Sequence, residues 1–527
     1  AAKGVFREYR LPAAGARPTG IAVSVYGEVW FTQFGANKIG RISQTGQLME
    51  YSIPTPNSGP LGITTVAISR DAWFTEFNGN KIGRITAEGV ITEFPIPTPG
   101  SAPYGITGEI TDSAVWFTEL NGNKLGRISP EGLITEFAIP TPDSLPMGIS
   151  RGPWGTDVWF TESRANKIGW MFREGGTVTE IPIPTPSSGP AGITMDSSGR
   201  IWFTESNAGR IGRIARPVTD LVIEEFTLPD RESGPVAIDT REDGTVWFTE
   251  RFANRIGRID LADKVVEYPM ANAGEPSGIV GDRWYVWFTD RATGKVVRMV
   301  RDAVVLVGAG VSGSWDTEYR FANPNSYATG VTLGVFFEPN LICSVNCPQD
   351  ASGLLLPTLG TGTLRASQAA FFLRSLRPVY VRSSEDSPAT VTARVLNTAR
   401  PSQGIEIPAV RLSTLWELKL SVLAFPGASR GSSVHGNLVL SEVGWDDAVT
   451  VLVEALSPDG VLLGDASFQI VAGSTLFLVD VLAQLGVAEL DGGQIRVTRT
   501  AGDGLMWGLL ATVSDDGQVT VSLGMNP

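Results

Sequence analysis

The sequence predicts an all-β protein: a seven-bladed β-propeller followed by two β-sandwich domains of the immunoglobulin-like kind. Three observations predict it. The first is a tetrapeptide, Trp-Phe-Thr followed by an acidic residue or Gln. It runs from Trp30 to Gln33, Trp73 to Glu76, Trp116 to Glu119, Trp159 to Glu162, Trp202 to Glu205, Trp247 to Glu250 and Trp287 to Asp290. The tryptophans fall 43, 43, 43, 43, 45 and 40 residues apart, and a repeat of about forty residues built on short strands marks a propeller with one repeat per blade. The second is that the repeat stops near residue 303, where alternating segments such as Thr317 to Phe321, Val331 to Phe337, Thr390 to Leu396 and Val449 to Leu456 take over. The third is composition. The 60 Gly and 34 Pro among 527 residues suit short strands and tight turns, and no long stretch reads as an amphipathic helix.

The repeat from Pro60 to Pro99 shows how each blade is built. Pro60 to Thr64 opens the inner strand, and Ala72 to Thr75 forms the second, its side chains alternating between faces. Asn80 to Ile85 makes the third, and a turn at Ala87-Glu88-Gly89 leads into the fourth, Val90 to Ile96. Pro97-Thr98-Pro99 then ends the ladder, because proline has no N–H to donate. Glycine recurs within the third strand at Gly40, Gly83, Gly126, Gly169, Gly212 and Gly257. Glycine weakens a strand, so its repetition implies a packing need, expected to be room for a tryptophan ring of a neighbouring strand or blade.

The two ends of the array complement each other. Val5 to Pro12 matches fourth-strand segments yet precedes the first blade, while the seventh repeat supplies three strands and ends near Arg298-Met299-Val300. The N-terminal strand is therefore expected to complete blade seven and close the ring, removing exposed edges. The expected domains are residues 1–302 for the propeller, 303–410 for the first sandwich and 411–527 for the second.

A net charge of −13 argues against a nucleic-acid partner, since phosphate binding needs a basic face. No apolar run approaches the roughly 20 residues that span a bilayer. The chain opens Ala1-Ala2-Lys3, which reads as the end left by signal-peptide removal and places the protein outside the cell. In that setting Cys343 and Cys347, the two cysteines, read as a local disulfide. A metal site would need more ligands, and the single histidine, His435, is distant in sequence.

In the motifs Trp-Phe-Thr-Glu, Asn-Lys-Ile-Gly-Arg-Ile, Ile-Thr-Glu-Phe, Pro-Thr-Pro and Pro-x-Gly-Ile, residues 1–300 resemble the streptogramin (virginiamycin B) lyase family. The resemblance implies a seven-bladed propeller. It also implies a top face where a histidine base and a magnesium ion open a cyclic depsipeptide by elimination, with the histidines near the start of inner strands. The corresponding openings here are Pro18-Thr19-Gly20-Ile21, Pro60-Leu61-Gly62-Ile63, Pro103-Tyr104-Gly105-Ile106, Pro146-Met147-Gly148-Ile149, Pro190-Ala191-Gly192-Ile193, Pro235-Val236-Ala237-Ile238 and Pro276-Ser277-Gly278-Ile279. None holds histidine, and residues 1–300 contain none. The family's catalytic residues therefore find no counterpart here.

Two residue sets remain as candidate top-face ligand contacts. Glu76, Glu119, Glu162, Glu205, Glu250 and Asp290 end the second strands, with Gln33 as the exception. They read either as an acidic ring for a divalent cation or as partners of nearby cations and amides such as Lys81 or Arg84. The residues between Pro and Gly of each inner strand vary within a constant frame. Leu61, Tyr104 and Met147 would give one apolar side to a pocket for a partly apolar ligand, or simply plug the channel. His435, without a nucleophile motif, reads as structural or exposed, and no convincing hydrolase elbow, zinc-protease motif or phosphate loop is present. The sequence reads as a non-catalytic extracellular protein for self-assembly or adhesion, whose sandwich edge strands contact copies of itself to build a filament, tube or surface layer, with a cell-surface glycan or protein as the other partner class. No cofactor is expected beyond a divalent cation at the acidic face. A lyase-like enzyme and a carbohydrate- or peptide-binding surface protein are the alternatives.

Overall fold

In the computed structural model the backbone is described over residues 4–301, except 44–45, 67–69, 110–112, 153–156, 173–175, 216–220, 242–243, 261–262, 271–273 and 283–284. Beyond 301 it is described chiefly along the strands, and side chains only in part between 423 and 510. The chain separates into two compact units, residues 1–301 and 302–527.

Seven four-stranded antiparallel sheets make up the first unit. Blade two is typical, with strands Pro60–Thr65, Ala72–Glu76, Lys81–Ile85 and Ile91–Pro95 in sequential order. Each inner strand begins with proline at its unpaired inner edge, and in every blade its register shifts just after, between Pro60 and Ile63 in blade two. Blade seven draws its outer strand from the other end of the chain. Gly4–Arg10 pairs with Lys295–Arg301, from Gly4 opposite Arg301 to Arg10 opposite Lys295.

Consecutive side chains of a strand point to opposite faces, so the Trp and Phe of each tetrapeptide serve different interfaces. Trp30 packs with Phe74 of the next blade, Trp73 with Phe117, Trp116 with Phe160 and Trp159 with Phe203. Trp202 follows with Phe248, Trp247 with Phe288, and Trp287 closes the circle on Phe31. Every interblade core is thus a Trp from one sheet against a Phe from the next. This changes the account of the glycines. Phe74 lies directly opposite Gly83, where an added Cβ would stand 2.1 Å from its Cζ. The glycines make room for the phenylalanine of their own blade, not for a tryptophan. Blade seven has Val297 at that place, opposite Phe288.

In the second unit, strands between 304 and 411 form a five-stranded and a four-stranded sheet. The short strand Val410–Arg411 pairs with Val304–Val305. Strands between 422 and 523 form two four-stranded sheets, whose shared core includes Leu423, Phe425, Leu438, Leu440, Val451 and Ile495. One helical turn, Val481–Gln484, buries Val481 and Leu482 in that core. His435 lies in the strand Val434–Glu442 opposite Val513, and its side chain is outside the described set. Cys343 and Cys347 also lie outside the described residues. Among the described residues no helix is long and apolar enough to cross a membrane.

Candidate ligand site at the propeller mouth

The third residue of each tetrapeptide builds the mouth. Thr32 donates its hydroxyl to the carbonyl of Leu61 at 2.7 Å, Thr75 to Tyr104 at 2.9 Å and Thr118 to Met147 at 2.7 Å. Thr161, Thr204 and Thr249 hold Ala191, Val236 and Ser277 in the same way, and Thr289 holds Thr19 at 2.7 Å. Each threonine also accepts the N–H of the glycine in its own inner strand, as Thr75 does from Gly62 at 2.9 Å, with Ala237 taking the glycine's place in blade six. The variable residue of every inner strand is therefore fixed through its backbone by the preceding blade. A second set of bonds ties the exit of each second strand to the entry of the inner strand. Phe34 N–H reaches the Arg17 carbonyl, Phe77 that of Gly59, Arg251 that of Gly234 and Arg291 that of Glu275.

These ties bring residues 17, 34, 77, 251, 275 and 291 to the same end as Leu61, Tyr104 and Met147. Tyr104 meets Phe77 edge-on with ring centroids 6.5 Å apart. Burial pushes the Tyr104 phenol up, and Arg251 and Arg291, from blades across the ring, oppose that shift. Arg251 pairs with Glu275 at 3.2 Å. Arg291 sits over the Phe34 ring at 5.9 Å. Burial and the neighbouring Arg17 and Arg251 hold Arg291 below the usual guanidinium range.

The second-strand carboxylates are placed elsewhere. Glu76, Glu119, Glu162, Glu205 and Glu250 are 0% exposed and Asp290 is 2% exposed, so they form no open acidic ring. Nor do Lys81 and Arg84 serve them. Lys81 pairs with Glu93 of the fourth strand at 3.0 Å, and Arg84 pairs with Asp71. Instead the Glu76 carboxyl lies beside the Glu93 carboxylate and the Ser58 hydroxyl, with no well-aligned hydrogen bond to either. Blade one explains the arrangement, because Gln33 donates its amide to the fourth-strand Glu50 at 2.9 Å. A glutamic acid in that place can donate likewise only while it keeps its proton. Burial, then the adjacent carboxylate, pushes Glu76 to about 8 and Glu119, Glu162, Glu205 and Glu250 to about 7. Burial also pushes Glu93, Glu136 and Glu180 upward, but their lysine and threonine partners outweigh it and hold them below the ordinary range. In blade seven Asp290 accepts the Glu275 N–H at 3.0 Å and the Thr293 hydroxyl at 2.5 Å.

This pairing carries a signed pH dependence. Above the ordinary glutamate value of 4.5 the unfolded chain releases protons that the folded blades retain, so stability declines as pH rises toward 7 to 8. At acid pH the depressed Glu93, Glu136 and Glu180 must be protonated, and stability is lost there too. The melting temperature is expected to peak near about pH 5 and to fall by about pH 8. Glu119→Gln should flatten the alkaline side. Calorimetry showing a melting temperature that rises between those two values would overturn the protonated-pair account.

Among the described residues no group of three or more His, Cys, Asp or Glu side chains comes together for a metal ion. The mouth itself sets three arginines against Glu275, which Arg251 already holds. That set does not fit the magnesium ion that the family resemblance implies. Arg17, Phe34, Phe77, Arg251, Glu275 and Arg291 were not singled out from sequence. Their signal was available, since the positions just after the acid and just before the proline vary inside the constant frame as Leu61, Tyr104 and Met147 do.

Comparison with known proteins agrees with this fold. No curated protein matches the chain. Among solved structures, selenomethionine-substituted virginiamycin B lyase from Staphylococcus aureus is 40% identical, with a TM-score of 0.53, over 56% of this chain and 99% of that one. A catalytically inactive histidine-to-alanine variant of the Staphylococcus aureus enzyme with Quinupristin is 39% identical, with the same TM-score and the same shares covered. A streptogramin B lyase structure is 37% identical over 56% of this chain and 97% of that one, at a TM-score of 0.53. With matches over residues 1–69 and 65–299, more than half its length, the chain belongs to the virginiamycin B lyase family.

Proposed function

We propose that this propeller is a binding scaffold without streptogramin-opening activity, carried by an extracellular interaction protein. One observation carries the reading: residues 1–300 contain no histidine, whereas the Staphylococcus aureus lyase is described as inactive once a histidine is replaced by alanine. Among the described residues no other side chain at the mouth is suited to the missing base. Glu275 is paired with Arg251, and the glutamates with raised values are buried inside the blades. Incubation with a streptogramin B antibiotic and magnesium is expected to give no ring-opened product. Magnesium-dependent turnover abolished by Glu275→Gln would overturn the reading.

A second element of the proposal is self-association through the unit after residue 302. Its support is an apolar edge. Leu462–Ile470 is the outer strand of its sheet, and Val461, Leu462 and Leu463 at its start are 61%, 51% and 43% exposed. The open side of an outer strand with apolar side chains is a template for pairing with another chain. Light scattering of the full chain should show species larger than the monomer, reduced by Leu462→Lys. A strict monomer at high concentration would remove this element and leave the binding scaffold.

A further inference from the structure

Resting on the binding-scaffold reading, we propose that the propeller mouth takes an amphipathic organic anion. Its carboxylate or phosphate would be held by Arg17, Arg251 and Arg291, and its apolar body would lie on the side of Tyr104, Leu61, Met147 and Phe77.

The cationic side comes from three consecutive blades. Arg251 and Arg291 directly follow the second strands of blades six and seven, and Arg17 directly precedes the inner strand of blade one. The three converge closely enough for Arg17 and Arg251 both to act on Arg291. Like charges brought together and partly removed from water are costly unless a counter-charge joins them. Here the resident counter-charge is Glu275, bonded to Arg251. Among the described residues the guanidinium groups of Arg17 and Arg291 have no ion pair, and Arg291 keeps a buried Nε–H without an acceptor.

The backbone at Arg17 follows the common turn of the blades. It sits at φ 47°, in the left-handed region that favours glycine. The equivalent places hold Gly59, Gly189 and Gly234 at φ 63°, 63° and 61°, and Ala102 and Leu145 at φ 52° and 54°, so this turn belongs to the blade and accommodates glycine. Across the ring Tyr104 and Phe77 present aromatic surface, and the Tyr104 hydroxyl makes no hydrogen bond among the described residues. A ligand with one anionic end and one flat apolar end satisfies both sides, and a planar guanidinium pairs carboxylate or phosphate through two parallel hydrogen bonds.

The probe is 2-naphthoate, with 2-naphthamide as its uncharged match, titrated into the full chain by calorimetry. Naphthoate should bind, weaken with added salt, and bind about tenfold or more tightly than the amide. Arg17→Gly suits the left-handed position and keeps the fold, so a loss of about tenfold in naphthoate affinity reports the charge alone. Arg291→Met should act in the same direction, and Tyr104→Ala should weaken both probes. Absence of naphthoate binding, equal binding of the amide, or unchanged affinity in Arg17→Gly and Arg291→Met would overturn the anion site. None of these outcomes bears on the lyase assay, so the two readings fail separately.

Discussion

Deleting residues 1–12 is expected to leave a propeller that aggregates or melts many degrees lower. The lost strand supplies seven consecutive backbone pairings to Lys295–Arg301. It also supplies Phe6, which meets Phe288 edge-on at 6.3 Å, and Tyr9, which packs on Trp287 at 5.5 Å. Its Glu8 pairs at 2.7 Å with Lys295, whose side chain is 8% exposed. Two aromatic side chains are worth roughly 1.5–3 kcal/mol each in burial. Adding the ladder, the loss is a large share of the roughly 5–15 kcal/mol that separates a folded domain from its unfolded chain. The exposed edge of blade seven would then pair with other molecules. Calorimetry and light scattering on the deletion variant decide it, and a melting curve like that of the full chain would refute closure by this strand.

Gly126→Val is expected to be nearly as damaging from a single site. A Cβ at Gly126 would stand 2.0 Å from Phe117 Cζ and 2.3 Å from Cε2, inside the core where Phe117 is 0% exposed. Phe117 cannot yield without entering the cluster it shares with Trp73, Ile82 and Val115. Overpacking of this kind costs about 3 kcal/mol, at the upper end of the usual range. Adding Phe117→Ala should recover part of the loss, because the two changes touch one contact and are coupled. Denaturant unfolding of the two single variants and the double variant measures the coupling. Independent, additive effects would mean that the clash is not the cause. Blade seven supplies the natural contrast, since Val297 already stands opposite Phe288 there.

The propeller was legible because one repeat encodes one supersecondary unit, so strand order and ring size followed from spacing. The glycine assignment failed although its evidence was local. With Glu76 opposite Lys81, antiparallel register puts Phe74, not Trp73, opposite Gly83. The glutamates were misread for a related reason. Lys81 neighbours Glu76 along the ladder, yet its ammonium turns to Glu93 on the fourth strand, which register alone does not reveal. The arginines of the mouth were illegible as a group, because Arg17 and Arg291 lie near opposite ends of the propeller sequence and meet only once the ring is closed.

The threonine bonds at the mouth have a wider consequence. They grip the carbonyl of each mouth residue and take nothing from its side chain, whether that residue is Leu61, Tyr104, Met147, Ala191, Val236 or Ser277; at Thr19 the hydroxyl also bonds to Thr32. The architecture thus separates where a group is held from what the group is. Seven interchangeable sockets surround one opening, and a new set of side chains in them costs the scaffold little. On the proposed reading, a histidine lost from such a socket would remove a reaction without disturbing a blade, and an arginine gained beside one would redirect the opening toward another class of molecule. Inheritance of form and turnover of chemistry are, in this ring, physically independent.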